Sequence, residues 1–283
     1  MPRLSKDWTI VIKPKTNWFD LKLRELWQYR DLVMLFVKRD FVAIYKQTIL
    51  GPLWHVIQPL LTTLTFTFIF GRIAGISTDG LPQFLFYMSG IVMWTYFSRC
   101  LVATSGTFIT NAQMLGKVYF PRIAIPVSLV ISNLVSYLIQ FLFFIIILLV
   151  YILKGVTVHP NIYILLMPVM VFLLAMLGLG LGIIVSALTT RYRDLKFLVQ
   201  FGVQLFMYAT PVIYPLSAIP GRYKSVLMMN PLTSVIELFR YAFLGSGTID
   251  MGMLLRSSLT ILAVFVLGLI MFNRVEKNFI DTV

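Results

Sequence analysis

Six long stretches of the chain contain no Asp, Glu, Lys or Arg at all: 47–71, 80–98, 123–153, 155–190, 197–221 and 257–273. The second resumes past Arg99 and continues to 116. A helix that crosses a bilayer needs about 20 apolar residues. The runs therefore predict six spanning helices, near 53–73, 84–107, 125–151, 162–188, 197–214 and 255–273. Composition agrees: charged residues are 12% of the 283, against roughly 25% in an average soluble domain. That excludes disorder and argues against a soluble globule. A further charge-poor stretch, 225–239, is interrupted at Pro231. Short helices that dip into the membrane and return fit it better than a full span. The first 50 residues hold no early apolar run with a cleavage site, so no signal peptide is expected.

Orientation follows from the basic residues. An even span count puts both termini on one side. Ten Lys and Arg precede the first span, and the same face receives Lys117, Arg122, Arg191, Arg193, Lys196, Arg274 and Lys277. The opposite face receives Lys154, Arg222, Lys224, Arg240 and Arg256. That asymmetry makes the termini cytoplasmic. It also accounts for much of the net charge of +13, and no nucleic-acid motif accompanies the charge.

Several activities lack their parts. One cysteine, Cys100, allows no internal disulfide or multi-cysteine metal cluster, and His55 and His159 are the only histidines. Glu237, in the broken stretch, is the one carboxylate expected at membrane depth between the first and last spans. An ion-coupled carrier usually needs more ionisable groups inside its bundle. The nearest approach to a phosphate-binding loop, Gly116-Lys117, has Asn111 where the first glycine belongs. Gly178, Gly182 and Ser186 recur every four residues and read as a small-residue face for close helix packing, not a nucleotide fingerprint. His55, beside Trp54, reads as an interfacial hydrogen-bonding residue. A membrane-embedded transferase would need a catalytic constellation, and none is found. The chain reads as a conduit whose energy arrives from another protein.

Two cytoplasmic segments are placed to receive it. Within 20–48, Val33, Val37, Phe41 and Ile44 form an apolar stripe at helical spacing, with Trp18, Trp27 and Trp54 suited to the headgroup level. This reads as a helix lying on the membrane, turned into the first span by Gly51-Pro52. Between the second and third spans, 111–122 mixes aromatic and basic residues and ends at Pro121. Such a segment can fill a partner's groove or simply anchor an interfacial loop. Arg191 to Lys196 forms a smaller cytoplasmic turn.

Several of these residues carry a family resemblance. Lys38-Arg39-Asp40-Phe41, the run from Tyr45 through Gln47-Thr48 to Gly51-Pro52-Leu53-Trp54, and Gln58-Pro59 resemble the N-terminal signature of permease subunits of bacterial polysaccharide ABC exporters. So do Lys117-Val118-Tyr119-Phe120-Pro121-Arg122 with Ile125-Pro126, and Arg191-Tyr192-Arg193-Asp194. Pro211-Val212-Ile213-Tyr214, and Asn230-Pro231 followed by Glu237 and Arg240, match as well. The similarity runs over about residues 30–275 and leaves the first 25 aside. Members of the family export O-antigen, capsule or teichoic acid.

The resemblance implies an all-α polytopic membrane protein: an arm and amphipathic interface helix over 1–50, a six-helix transmembrane domain over 51–275 with two short re-entrant helices between spans five and six, and a tail over 276–283. It implies a non-catalytic permease in a bacterial inner membrane, paired with a second copy of itself and two cytoplasmic ATPase subunits that bind ATP and magnesium. The cargo implied is a polysaccharide on a lipid pyrophosphate, O-antigen first. Tyr119, Phe120, Arg122 and Lys117 would form the coupling segment, with Arg39, Asp40 and Tyr45 on the interface helix and Arg191, Arg193 and Asp194 at the second contact. Arg39 or Lys46 could meet the pyrophosphate or anionic lipid heads. Tyr87, Trp94, Tyr96, Phe97, Phe206, Tyr208 and Tyr214 are candidate glycan-lining residues, although aromatics in spans more often pack or face lipid. Pro231, Glu237 and Arg240 are candidates for an extracytoplasmic gate. Alternatives are a permease for a drug or small lipid and, more remotely, an ion-coupled flippase.

Overall fold

The computed structural model describes residues 23–45, 51–111, 120–189, 194–247 and 250–278. Every regular element among them is helical. The α-helices in chain order are α1 (Leu23–Gln28), α2 (Arg30–Tyr45), α3 (Trp54–Phe66), α4 (Gln83–Ser105), α5 (Thr107–Thr110), α6 (Ala124–Leu153), α7 (Met167–Thr189), α8 (Leu195–Tyr208), α9 (Gly221–Met229), α10 (Pro231–Leu244) and α11 (Met251–Asn278), with short 3-10 or π turns at Gly51–Leu53, Thr67–Ile73, Ile162–Leu166 and Leu216–Ala218.

Five of these helical stretches are long and apolar enough to cross a membrane: Trp54–Ile73, Gln83–Ser105, Ala124–Leu153, Ile162–Thr189 and Met251–Arg274. They match the expected spans to within a few residues. The remaining expected span, 197–214, is represented by α8, whose 14 residues rise about 21 Å, short of a hydrocarbon core of roughly 30 Å. The helix stops at Tyr208 for identifiable reasons. Pro211 disfavours helical geometry in the residue before it. The Asn230 amide donates to Ala209 O and Thr210 Oγ1, at 3.2 and 2.9 Å, and holds the turn open.

In α3, Pro59 lacks the N–H that would bond the carbonyl four residues back. Hydroxyls of Thr62, Thr63, Thr65 and Thr67 each donate to the carbonyl four residues earlier, so these polar groups are satisfied within the helix. Over Thr67–Ile73 the helix widens into π-helical turns.

The core is built around α4, with 78% of its most apolar stretch buried, against 22% for Trp54–Ile73 and 28% for Ala124–Leu153. α4 lies against α7 and α6, and α7 lies against α11. Glycines permit the close approach. A Cβ at Gly178 would stand 2.7 Å from Cys100 Cβ, and one at Gly182 would overlap Thr104. Ser186 continues that face, with its hydroxyl 3.5 Å from the Phe108 amide. Of the expected small-residue face, Gly178 and Gly182 thus meet α4 and Ser186 meets α5. Sequence reading missed the opposite face: a Cβ at Gly180 would stand 2.8 Å from Phe265 Cα, and one at Gly268 2.7 Å from the Gly180 carbonyl.

α2 packs on α6. Its buried residues are Val33, Phe36 and Val37, whereas Phe41 of the expected stripe is 39% exposed. The stripe turns towards Phe36 because the helix sits on protein along that side, leaving Met34, Leu35 and Val42 outward.

Candidate functional site

At the end where α10 meets the bundle, Arg240 ties three elements together. The side chain is almost wholly buried (2% exposed). Its guanidinium donates to Pro211 O at 2.6 Å, Val212 O at 2.8 Å, Ser89 Oγ at 3.4 Å and Glu237 Oε1 at 3.4 Å. The Phe86 ring centroid lies 3.8 Å from its central carbon. The chain can pass here because residue 90 is glycine; a Cβ would stand 2.9 Å from an Arg240 nitrogen. Five fixed donors on a planar head suit arginine, and not lysine, to holding two successive carbonyls. Pro231 occupies the first turn of α10 after the Asn230 cap, whose Oδ1 accepts from Leu232 N at 3.0 Å. The three residues thus share α10, with Glu237 and Arg240 in contact and Pro231 opening the helix.

The aromatic candidates divide between two sides of α4. Trp94 lines a groove of about 700 Å³ between α3, α4 and α8, together with Gln58, Thr62, Thr95, Gln200 and Gln204. Phe206 packs on Trp94 and Phe97, with ring centroids 5.9 and 6.2 Å apart. Phe97 itself is fully buried. Tyr96 points the other way, against Tyr137 at 5.1 Å, and lines an apolar groove of about 510 Å³ between α6 and α7. Tyr87 is buried and its hydroxyl has no partner. Tyr208 is exposed, and its carbonyl accepts from the Tyr214 hydroxyl at 3.0 Å.

On the side of α2, Arg39 pairs with Asp40 at 2.8 Å and stands 5.0 Å over the Phe36 ring. Phe36 meets Phe120 edge-on at 5.7 Å, and Phe120 is buried. Its ring is thus an anchor for the segment that follows 112–119. Arg122 is half-buried in the turn before α6. Asp194 is exposed at the start of α8. Tyr45 ends α2; its side chain, and Lys117, Tyr119, Arg191 and Arg193 entirely, lie outside the described residues. The structure brings Arg39, Asp40 and Phe120 to one corner. Among the described residues no three His, Cys, Asp or Glu gather as metal ligands.

Sequence reading missed a polar cluster inside the bundle. Arg99 donates to His55 Nδ1 at 2.8 Å and to Gln58 Oε1 at 3.2 Å, and Ser136 Oγ lies 3.3 Å from His55 Nε2. A guanidinium only donates, so His55 accepts at Nδ1 and carries its proton on Nε2, directed at Ser136. The available signal was Arg99 itself, a charge within an apolar span.

Comparison with known proteins places this geometry in context. The model of the ABC-2 type transporter family matches residues 31–244. An O-antigen export system permease protein RfbA of Klebsiella pneumoniae is 30% identical over 251 residues, covering 89% of this chain and 94% of that one. A protein of the same name from Myxococcus xanthus is 30% identical, with 78% and 83% covered. The polysialic acid transport protein KpsM of Escherichia coli is 26% identical, with 77% and 81% covered.

Proposed function

Because the chain belongs to the ABC-2 type transporter family, we propose that it is the membrane permease of an ATP-driven exporter of a lipid-diphosphate-linked polysaccharide, with O-antigen as the cargo. The observation that carries this reading is the 700 Å³ groove between α3, α4 and α8. Beside aliphatic residues it is lined with amides, hydroxyls, the Arg99 guanidinium and one aromatic ring. Hydroxyl and amide groups suit a sugar's hydroxyls, and an indole suits its C–H faces. The names of the relatives supply the cargo. KpsM favours a second reading, a capsular polymer, at lower identity and coverage.

In this proposal α8 is the fifth of six spans, α9 and α10 are re-entrant, and both termini lie in the cytoplasm beneath a bacterial inner membrane. Two copies face each other across the groove. Gln200 and Gln204 are exposed on α8, and Phe197, Phe201 and Leu205 are exposed beside them. Amides in a bilayer need partners, which a water-filled path or a second copy provides.

Two cytoplasmic ATPase subunits hold ATP and magnesium; this chain performs no reaction. Closure of those subunits pulls on 111–122, on the Arg39–Asp40 corner and on 191–194. The bundle then shifts between two packings, biased by different contacts below. Pro231, Glu237 and Arg240 hold the far end closed until α8 moves.

The test is an ATPase assay on the chain co-purified with its ATPase, wild type against Tyr119→Ala plus Arg122→Ala, with surface glycan followed in the same cells. Loss of coupling and of surface glycan from an inserted protein is the expected result. Normal export without a bound ATPase would sink the reading and bring the ion-coupled flippase forward.

A further inference from the structure

We infer that the apolar groove between α6 and α7 is a binding site for one acyl chain of a membrane phospholipid. The inference rests on the chain's place in a membrane and not on its cargo, so it stands or falls apart from the exporter reading. Four observations converge. First, the gap is built into the bundle. α6 and α7 each pack along α4, which forms the floor between them, and they touch each other little. Just beyond Leu138, α10 lies against both walls: the Phe141 ring of α6 meets Phe239 and Phe243 at 6.3 and 5.5 Å, and α10 also packs on α7. The space left is about 510 Å³. Second, its lining offers almost nothing to a polar ligand. Val130, Leu134, Val171, Ala175 and Leu179 are aliphatic. The tyrosines contribute rings: the Tyr137 hydroxyl donates to Met93 Sδ at 3.6 Å, and that of Tyr96 is paired with the buried Cys100. A sugar or a peptide placed here would leave its polar groups unpaired.

Third, the groove opens outward at membrane depth. Leu138 and Phe172 on its rims are 49% and 63% exposed, and both lie in helical stretches long enough to cross a membrane. Hydrocarbon is what stands at that mouth. Lipid tails are as apolar as leucine, so what holds a chain here is van der Waals contact from the floor and two walls, against one wall for a chain on a convex surface. Fourth, the length fits. The lining runs from Val130 to Leu138 on α6, a rise of about 12 Å, and from Met167 to Leu179 on α7, about 18 Å. One leaflet is half of a hydrocarbon core of roughly 30 Å. The groove is thus as long as one acyl chain, and too short for a partner's spanning helix. A second copy is better placed across α4 from this groove, beside α8, where Gln200 and Gln204 line the polar groove.

The experiment uses the full-length chain in detergent, incubated with phosphatidylcholines of increasing acyl length. Phospholipid retained after washing is counted by native mass spectrometry. The wild type is expected to keep one phospholipid per chain. Retention rises with acyl length until the groove is filled and then levels off. Phosphatidylglycerol with the same chains is kept equally, because no charged side chain lines the groove. Ala175→Phe places a ring in the groove and cuts retention to roughly a tenth of wild type or less. Leu142→Phe, on the outer surface of α6 at 62% exposure, leaves it unchanged. Added phosphatidylcholine raises the thermal midpoint of the wild type and not that of Ala175→Phe. Leu134→Phe, on the facing wall, repeats the comparison if Ala175→Phe is not recovered folded, and the acyl-length series needs no variant.

Retention that ignores acyl length, or that survives both groove variants, overturns the inference, since the lipid is then merely part of the surrounding shell. So does a wild type that keeps no phospholipid, or one that keeps only a polyprenyl phosphate. A change of oligomeric state in Ala175→Phe with lipid retention unchanged also overturns it, and gives the groove to a second copy.

Discussion

α4 and α8 both come from charge-poor stretches, and their surroundings are opposite. α4 is enclosed along most of its length, by α6 and α7 above all, and 78% of its apolar stretch is buried. α8 has no buried residue; Phe197, Leu198, Phe201 and Leu205 are all more than half exposed. In water such a ridge would be an interaction surface or a liability. In a bilayer, lipid satisfies it and leaves Gln200 and Gln204 as the groups that need an explanation. Burial in lipid and burial in protein have the same hydropathy and different packing consequences: α4 is held by shape, whereas α8 is held at its end, where Arg240 takes the carbonyls of Pro211 and Val212.

The contrast can be broken most severely at the α4–α7 contact. Gly182→Val places atoms where Thr104 stands, and neither backbone can retreat without opening the core. We expect no monodisperse protein in detergent after size-exclusion chromatography; a well-behaved peak would show that the helices are not in close contact. The next largest effect is at the α8 anchor. Arg240→Met removes the buried arginine from Glu237 and from the Pro211 and Val212 carbonyls, at a cost of about 3–5 kcal/mol, read as a lower thermal midpoint. Adding Glu237→Gln recovers part of that loss, and no recovery would mean that the carbonyl contacts carry the anchor alone. The finest comparison is one change at two places. Phe97→Ala, in the enclosed helix, costs about 3–5 kcal/mol. Phe201→Ala, 59% exposed on α8, costs about 0.5 kcal/mol or less in the isolated chain. A large loss at Phe201 in the assembled complex, absent from the isolated chain, would locate a second copy on that face.

The spans were legible because a run of 20 uncharged apolar residues has few other destinations. The end of α8 was less so. Hydropathy continues smoothly to Tyr214, while the break depends on Asn230 reaching back to Ala209 and Thr210. The small-residue face was half legible: the four-residue repeat picks out Gly178 and Gly182, but Gly180 lies outside it and acts through Val264, Phe265 and Gly268 of α11. The Arg99 cluster was illegible as a cluster, since its bonds join α3, α4 and α6 across 41, 44 and 81 positions of sequence. A charge in a span announces itself; the neutral residues that meet it do not.

The two glycine faces of α7 have a mechanical consequence. With Gly178 and Gly182 seated on α4, and Gly180 on α11, α7 works as an axle keyed on both sides. Interfaces packed this closely do not slide by small amounts. The three helices therefore form one block, and any rearrangement of the bundle is taken up where the seams are loose, at α8 and at the proline-relieved, π-widened length of α3.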